Sequence, residues 1–197
     1  MDISTPPRPA SATAGAVIED RLSEQLAAVA ATARRRASRG GDREVDTAHL
    51  LHSLLESDPV VRAFLGGGGA QTAKLLGYLA QRSIGYGLRW RHAVEKAAGP
   101  RAGKVNTGLL PGWSPAAAGA LEVALERAAV RGAVRAEGVD LFAGLAADEG
   151  CRAAEVLRIA GVDVRGLALG LDVGAAVLLS EAPRGVRGLA CDTPVEG

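Results

Sequence analysis

Few side chains in this sequence have the type and spacing that chemistry demands, and the most closely set group is Asp46, His49 and His52. Two histidines three residues apart share a helix face, which is how a pair of imidazoles is aimed at one transition metal. No further ligand lies nearby, since the third histidine of the chain is His92. Asp46 is better explained as the residue that caps a helix start, so the expectation is a structural group and no metal site. Cys151 offers a second route. It stands at a helix start, where a thiol's pKa can fall, yet nucleophilic work also needs a base, and His92 has no motif around it. Cys151 and Cys191 form neither a C-x-x-C nor a Cys/His cluster of zinc spacing. The reading is a non-catalytic protein with no cofactor and with buried or idle thiols.

A third candidate is electrostatic. Arg34, Arg35 and Arg36, with Arg39 and Arg43, make a basic cluster able to meet an acidic partner or nucleic acid. No aromatic interleaves it for base stacking, and Glu19, Asp20 or Glu24 are near enough to pair with it. With 23 basic against 22 acidic residues, the net charge of +1 gives no global attraction to nucleic acid or to an anionic membrane. A solvated helix face is the expected role.

Helices must position these groups. The chain has 197 residues, and its aromatics are only two Phe, two Tyr and two Trp, so the core must be built of Ala, Leu and Val. That composition favours close-packed helices over a sheet rich in β-branched and aromatic residues. Residues 1–15 combine Pro, Ser, Thr and Ala without apolar periodicity and read as a flexible tail. From Val17 to Ser38 the positions Ile18, Leu22, Leu26, Val29, Ala30, Ala33 and Ala37 recur at helical steps and stop at Gly40-Gly41. A second helix is expected from Asp46 or Thr47, and a third, short one, Val60 to Leu65, opened by Asp58-Pro59 and ended by Gly66 to Gly69. No apolar run is long enough to span a membrane, and the N-terminus lacks the apolar stretch of a signal peptide, so a cytoplasmic protein without membrane association is expected.

An internal repeat organises the rest. With Gly40 placed on Gly132 and a one-residue gap in the loop before the second helix, Leu50-Leu51 falls on Leu141-Phe142, Leu54 on Leu145, Phe64-Leu65 on Val156-Leu157 and Leu75 on Leu167. The expectation is an all-α fold made by tandem duplication of a four-helix unit, with repeat one at 18–76, an inter-repeat segment at 77–112 and repeat two at 113–170, together one domain at 16–172. Residues 173–197 read as a mobile C-terminal tail. Tyr78, Tyr86, Trp90 and Trp113 all lie in or at the edge of the joining segment, whose helical-looking part runs from Gln71 to Lys96.

Several short stretches carry a family resemblance. Thr47-Ala48-His49-Leu50-Leu51 resembles the T-E-H-L-L of the Clp N-terminal (Clp R) domain, the substrate- and adaptor-binding module of the ClpA, ClpB and ClpC unfoldases. Asp148-Glu149-Gly150, running through Ala154, Val156 and Leu157 to Gly161-Val162-Asp163, resembles the family's E-G-x-A-A-x-V-L-x-x-x-G-V-D. Trp113-Ser114-Pro115 is similar to its aromatic-Thr-Pro opening, and Leu22-Ser23 holds the equivalent place in the first repeat. The likeness covers residues 18–76 and 113–170. It implies a pseudo-two-fold bundle with a surface groove where the first helices of the repeats begin, and in that groove it places Leu22, Ser23, Trp113, Ser114 and Glu122, with Trp113 either an exposed anchor or a cap on the core. The implied partner is a protein or peptide, among them a ClpC-type unfoldase or its substrates, or a cyclic-peptide antibiotic. The implied function is an adaptor, decoy or sequestering factor of a Clp protease or chaperone system, the alternative being a small-molecule binder that soaks up Clp-targeting antibiotics. Two departures qualify the likeness. The acids that ClpC-type domains use to recognise phosphorylated arginine are replaced by Ala48 and Val139, and no G-x-x-x-x-G-K-[ST] for ATP occurs in the chain.

Overall fold

The computed structural model describes residues 18–81, 94–98 and 112–181. The tail at 1–15, Tyr86, Trp90, His92, Cys191 and most of the inter-repeat segment lie outside them. The described residues form an all-α bundle: α1 (Glu24–Gly40), α2 (Thr47–Ser57), α3 (Pro59–Ala63), α4 (Gly68–Gln81), α5 (Pro115–Val130), α6 (Gly138–Ala147), α7 (Arg152–Ile159) and α8 (Val164–Glu181).

The helices begin where polar side chains can satisfy free N–H groups. Ser23 Oγ accepts from Leu26 N at the start of α1, and Ser114 Oγ accepts from Ala117 N at the start of α5. The periodic stretch from Val17 thus does not form one helix, because Ser23 breaks it and caps α1. At α2 the bonding is reciprocal: Asp46 accepts from His49 N, and His49 Nδ1 accepts from Asp46 N. α1 and α5 also end alike. Gly41 and Gly132 have φ of 69° and 70°, a conformation that suits glycine, and Asp42 N and Ala133 N return to Ala37 O and Ala128 O. Gly41, rather than Gly40, is therefore the geometric counterpart of Gly132, and the loop needs no gap.

That interval holds across the junction of the two halves. Leu22 bridges Ala136 and Val45 bridges Trp113, both in parallel sense, and the interval from Leu22 to Trp113 equals that from Val45 to Ala136. At the same interval Thr47 answers to Gly138, His49 to Asp140, His52 to Ala143 and Ser53 to Gly144.

The middle of the bundle is α2 and α6. α1 packs on α2 and α5 on α6, while α2 reaches α5, α6 and α7 of the other half. Leu50, Leu51, Leu54, Leu141, Phe142 and Leu145 are fully buried between them. The halves interleave, burying much of what each would expose alone. Phe64 is half-exposed, so the aligned Phe64 and Val156 are not equivalent in burial. α4 continues past residue 76 to Gln81, and α8 continues to Glu181, where a tail from 173 was expected. Lys96 lies in a stretch with no regular secondary structure, so the helical reading from Gln71 does not hold to its end.

Candidate functional site

The stretch Val94–Ala98, which has no regular secondary structure, meets the bundle at the junction of the halves. Its neighbours are open, with Val94 56% exposed, but Glu95 is only 6% exposed. The Glu95 carboxylate meets the first turns of three helices. Thr47 N of α2 donates to Oε2 at 2.9 Å, and Arg152 N of α7 donates to Oε1 at 2.7 Å. The Ser114 hydroxyl, at the N-cap of α5, donates to Oε2 at 2.8 Å, and the Thr47 hydroxyl donates to Oε1. Thr47 Oγ1 in turn accepts from Ala153 N at 2.9 Å. One carboxylate thus receives four donors where three helix dipoles present their positive ends.

The surroundings oppose the charge as well as holding it. Burial pushes the Glu95 carboxyl above its usual range, the Asp46 carboxylate adds to that, and the bonds from Thr47 and Arg152 pull the other way. The Arg152 guanidinium donates to Asp46 Oδ2 at 2.6 Å.

The corresponding end of the other half is closed by a local residue. Asp58 caps α3, its Oδ1 accepting from Val60 N and Val61 N at 2.9 and 3.2 Å. Its carboxylate also lies over Gly138, the counterpart of Thr47, where any Cβ would overlap it. At α7 the N-cap is Cys151, whose Sγ accepts from Ala154 N at 3.4 Å and donates to Leu145 O. A cap serves the second or third N–H of its helix, so the first, Arg152 N, is open to a carboxylate from elsewhere, whereas α3 begins with Pro59, which has no N–H.

The residues anticipated from sequence fall at the same junction in a different role. Leu22 and Trp113 are buried, Ser23 and Ser114 are caps, and Glu122 is half-buried two turns into α5. The expected exposed indole is corrected: Trp113 is 3% exposed. Its backbone is held by Val45, Ser114 N donating to Val45 O at 2.9 Å, and the Arg34 guanidinium covers the ring 4.9 Å from its centre. Ser114 does reach a bound group, but through Glu95. Glu95, Thr47 and Arg152 were missed as site residues; the available signal was a helix opening on Cys-Arg-Ala-Ala, which has no good cap of its own.

The other candidates resolve as structural contacts. His49 Nε2 lies 3.1 Å from Asp42 Oδ2. His52 Nδ1 meets Arg36 at 3.3 Å, and its Nε2 lies 3.3 Å from Glu56. The four ring nitrogens thus serve four different partners. Burial, aided by Arg36, lowers the His52 pKa to about 4. Burial pushes the Cys151 thiol up to about 12, the reverse of the fall its helix position suggested, so it stays protonated. Arg34 pairs with Glu19 at 2.5 Å, and Arg36 with Glu56. Among the described residues, no group of three acidic, His or Cys side chains could hold a metal ion, and no helix is long and apolar enough to cross a membrane.

No protein-family model and no curated protein matches the chain. Solved structures do match. One, described as preliminary structural investigations of a malarial protein secretion system, aligns with a TM-score of 0.53 and 16% identity, over 79% of this chain and 95% of the other. At that identity the likeness is one of fold.

Proposed function

We propose that this protein is a tandemly duplicated, Clp N-domain-like module that binds proteins or peptides without catalysis and modulates a Clp protease or chaperone system as an adaptor, decoy or sequestering factor. The observation that carries the reading is the seating of Val94–Ala98: a short non-helical piece of chain lies at the junction of the halves with one side chain taken in and the residues on either side of it outside. A bundle that holds such a segment in this way is suited to hold one from another protein. The protonated Cys151 thiol adds no nucleophile to the junction. The order of the T-x-H-L-L and E-G-x-x-A-A-x-V-L stretches in the sequence, the latter one residue longer than the family's pattern, supplies the Clp part of the proposal. The test is a pull-down with a ClpC-type unfoldase and its substrates, combined with a degradation assay. Retention of the unfoldase, with altered substrate turnover, is expected; no retention and unchanged turnover would remove the proposal.

A further inference from the structure

The bundle closes the two ends of its junction by different means. At α3 the free N–H groups are met by Asp58, a residue of the cap itself. At α7 the second and third N–H groups go to Thr47 Oγ1 and Cys151 Sγ, and the first, that of Arg152, is met by Glu95, which comes from a segment outside both halves. Among the described residues of that segment Val94, Lys96 and Ala98 are exposed and Ala97 is half-buried, and Ala98 N donates to Asp148 Oδ2 at 3.0 Å. Gly150 marks the track of the backbone, because a Cβ there would overlap the Ala98 methyl. One buried acid with exposed residues on either side, a main-chain bond and a small residue three positions on are the features of a bound peptide.

We propose that the cradle formed by Thr47, Ser114 and the Arg152 amide is a recognition site for the acidic side chain of an extended peptide of the form Glu-x-x-Ala, and that Glu95 occupies it as a built-in competitor. The inference rests on the peptide-binding reading and gives its ligand a chemistry. The donors define the class. Two hydroxyls and two backbone amides that all donate select a carboxylate over a basic or apolar group. Gly150 selects a small residue at the third position after the acid. Tethering gives Glu95 an effective concentration in the millimolar range, so an outside peptide competes poorly until Glu95 is removed.

The test uses the full chain carrying Glu95→Ala and the peptide acetyl-Val-Glu-Lys-Ala-Ala-amide, monitored by the amide resonances of Thr47 and Arg152. The expected result is a saturable shift of both amides in the variant, at least tenfold weaker uptake by the wild-type chain, and at least tenfold weaker binding of the peptide with Gln in place of Glu. Adding Gly150→Ala to the variant is expected to weaken binding again. If the variant loses its native spectrum, the peptide must restore it. Unmoved amides in a folded variant, failure to restore an unfolded one, or equal binding of the Glu and Gln peptides would overturn the proposal. A chain that takes the peptide but ignores a Clp unfoldase leaves the cradle standing and removes only the Clp reading; the reverse outcome removes only the cradle.

Discussion

The first and second halves start their central helices at the same interval, yet α2 and α6 sit in opposite chemistry. At α2, Thr47 and the reciprocally bonded Asp46 and His49 face a carboxylate imported from Val94–Ala98. At α6, Gly138 makes room for Asp58, which caps α3 of the first half, and Asp140 is buried with the Arg131 guanidinium forked onto it. The second arrangement draws both of its acids from the halves themselves, Asp140 being answered by an arginine of its own half. The first depends on a group from elsewhere. A shared backbone therefore specifies where helix N-termini converge, and the side chains decide whether the convergence is closed or left to a ligand.

The sharpest break in the comparison is steric. Gly144 of α6 lies so close to α5 that a Cβ would overlap the Ala120 carbonyl, whereas its counterpart in α2 is Ser53. Gly144→Ala should cost about 3 kcal/mol, because backbone cannot yield as a side chain can; urea unfolding measures it. Glu95→Ala comes next. It strands two hydroxyls and two amides, and a loss of about 2–3 kcal/mol is expected at neutral pH.

Acid sensitivity should reside in the first half, since His52 answers to Ala143. His52 binds a proton at its usual 6.5 when unfolded and only near 4 when folded, so the unfolded chain holds more protons between these values. Stability then falls as pH drops through that window, by about 2 kcal/mol once solvent screening of the partly exposed neighbours is allowed for, and His52→Gln should remove most of the fall. Arg36, Glu56 and His49 face the ring and are retained in that variant. Glu95 acts with the opposite sign: its raised pKa favours the folded state below the usual 4.5, an advantage lost as pH rises through the folded value. Urea midpoints at pH 7 and 4.5 for both variants separate the two.

Asp58→Ala should cost only about 1 kcal/mol, the ordinary loss of a cap, against the larger loss at Glu95. Smallest of all is Ser53→Ala. Its buried hydroxyl has no partner among the described residues, so the change should be neutral or stabilising by up to about 1 kcal/mol.

Much of the fold is legible in the sequence, because apolar spacing and caps are local. Leu50-Leu51, Pro59 and Asp46 announce their helices without help from the rest of the chain. Ser23 was harder to place, since the apolar steps from Ile18 to Leu26 continue across it and only the cap chemistry marks the true start. The site was less legible. Thr47 and Ser114 are ordinary helix openers, Arg152 contributes its amide rather than its guanidinium, and Glu95 lies in a stretch with no periodicity. Their meeting is tertiary. Trp113 shows the converse hazard: a large aromatic beside a serine at a helix start suggested a surface anchor, but Arg34 and Val45, distant in sequence, cover it.

The most direct check of the imported carboxylate is a thermal melt of the Glu95→Ala chain with increasing propionate, with propionamide as the neutral control. The account predicts that propionate raises the melting temperature of this variant in a saturable way, that propionamide does not, and that the wild-type chain responds to neither. A Glu95→Ala chain as stable as wild type and indifferent to propionate would contradict it.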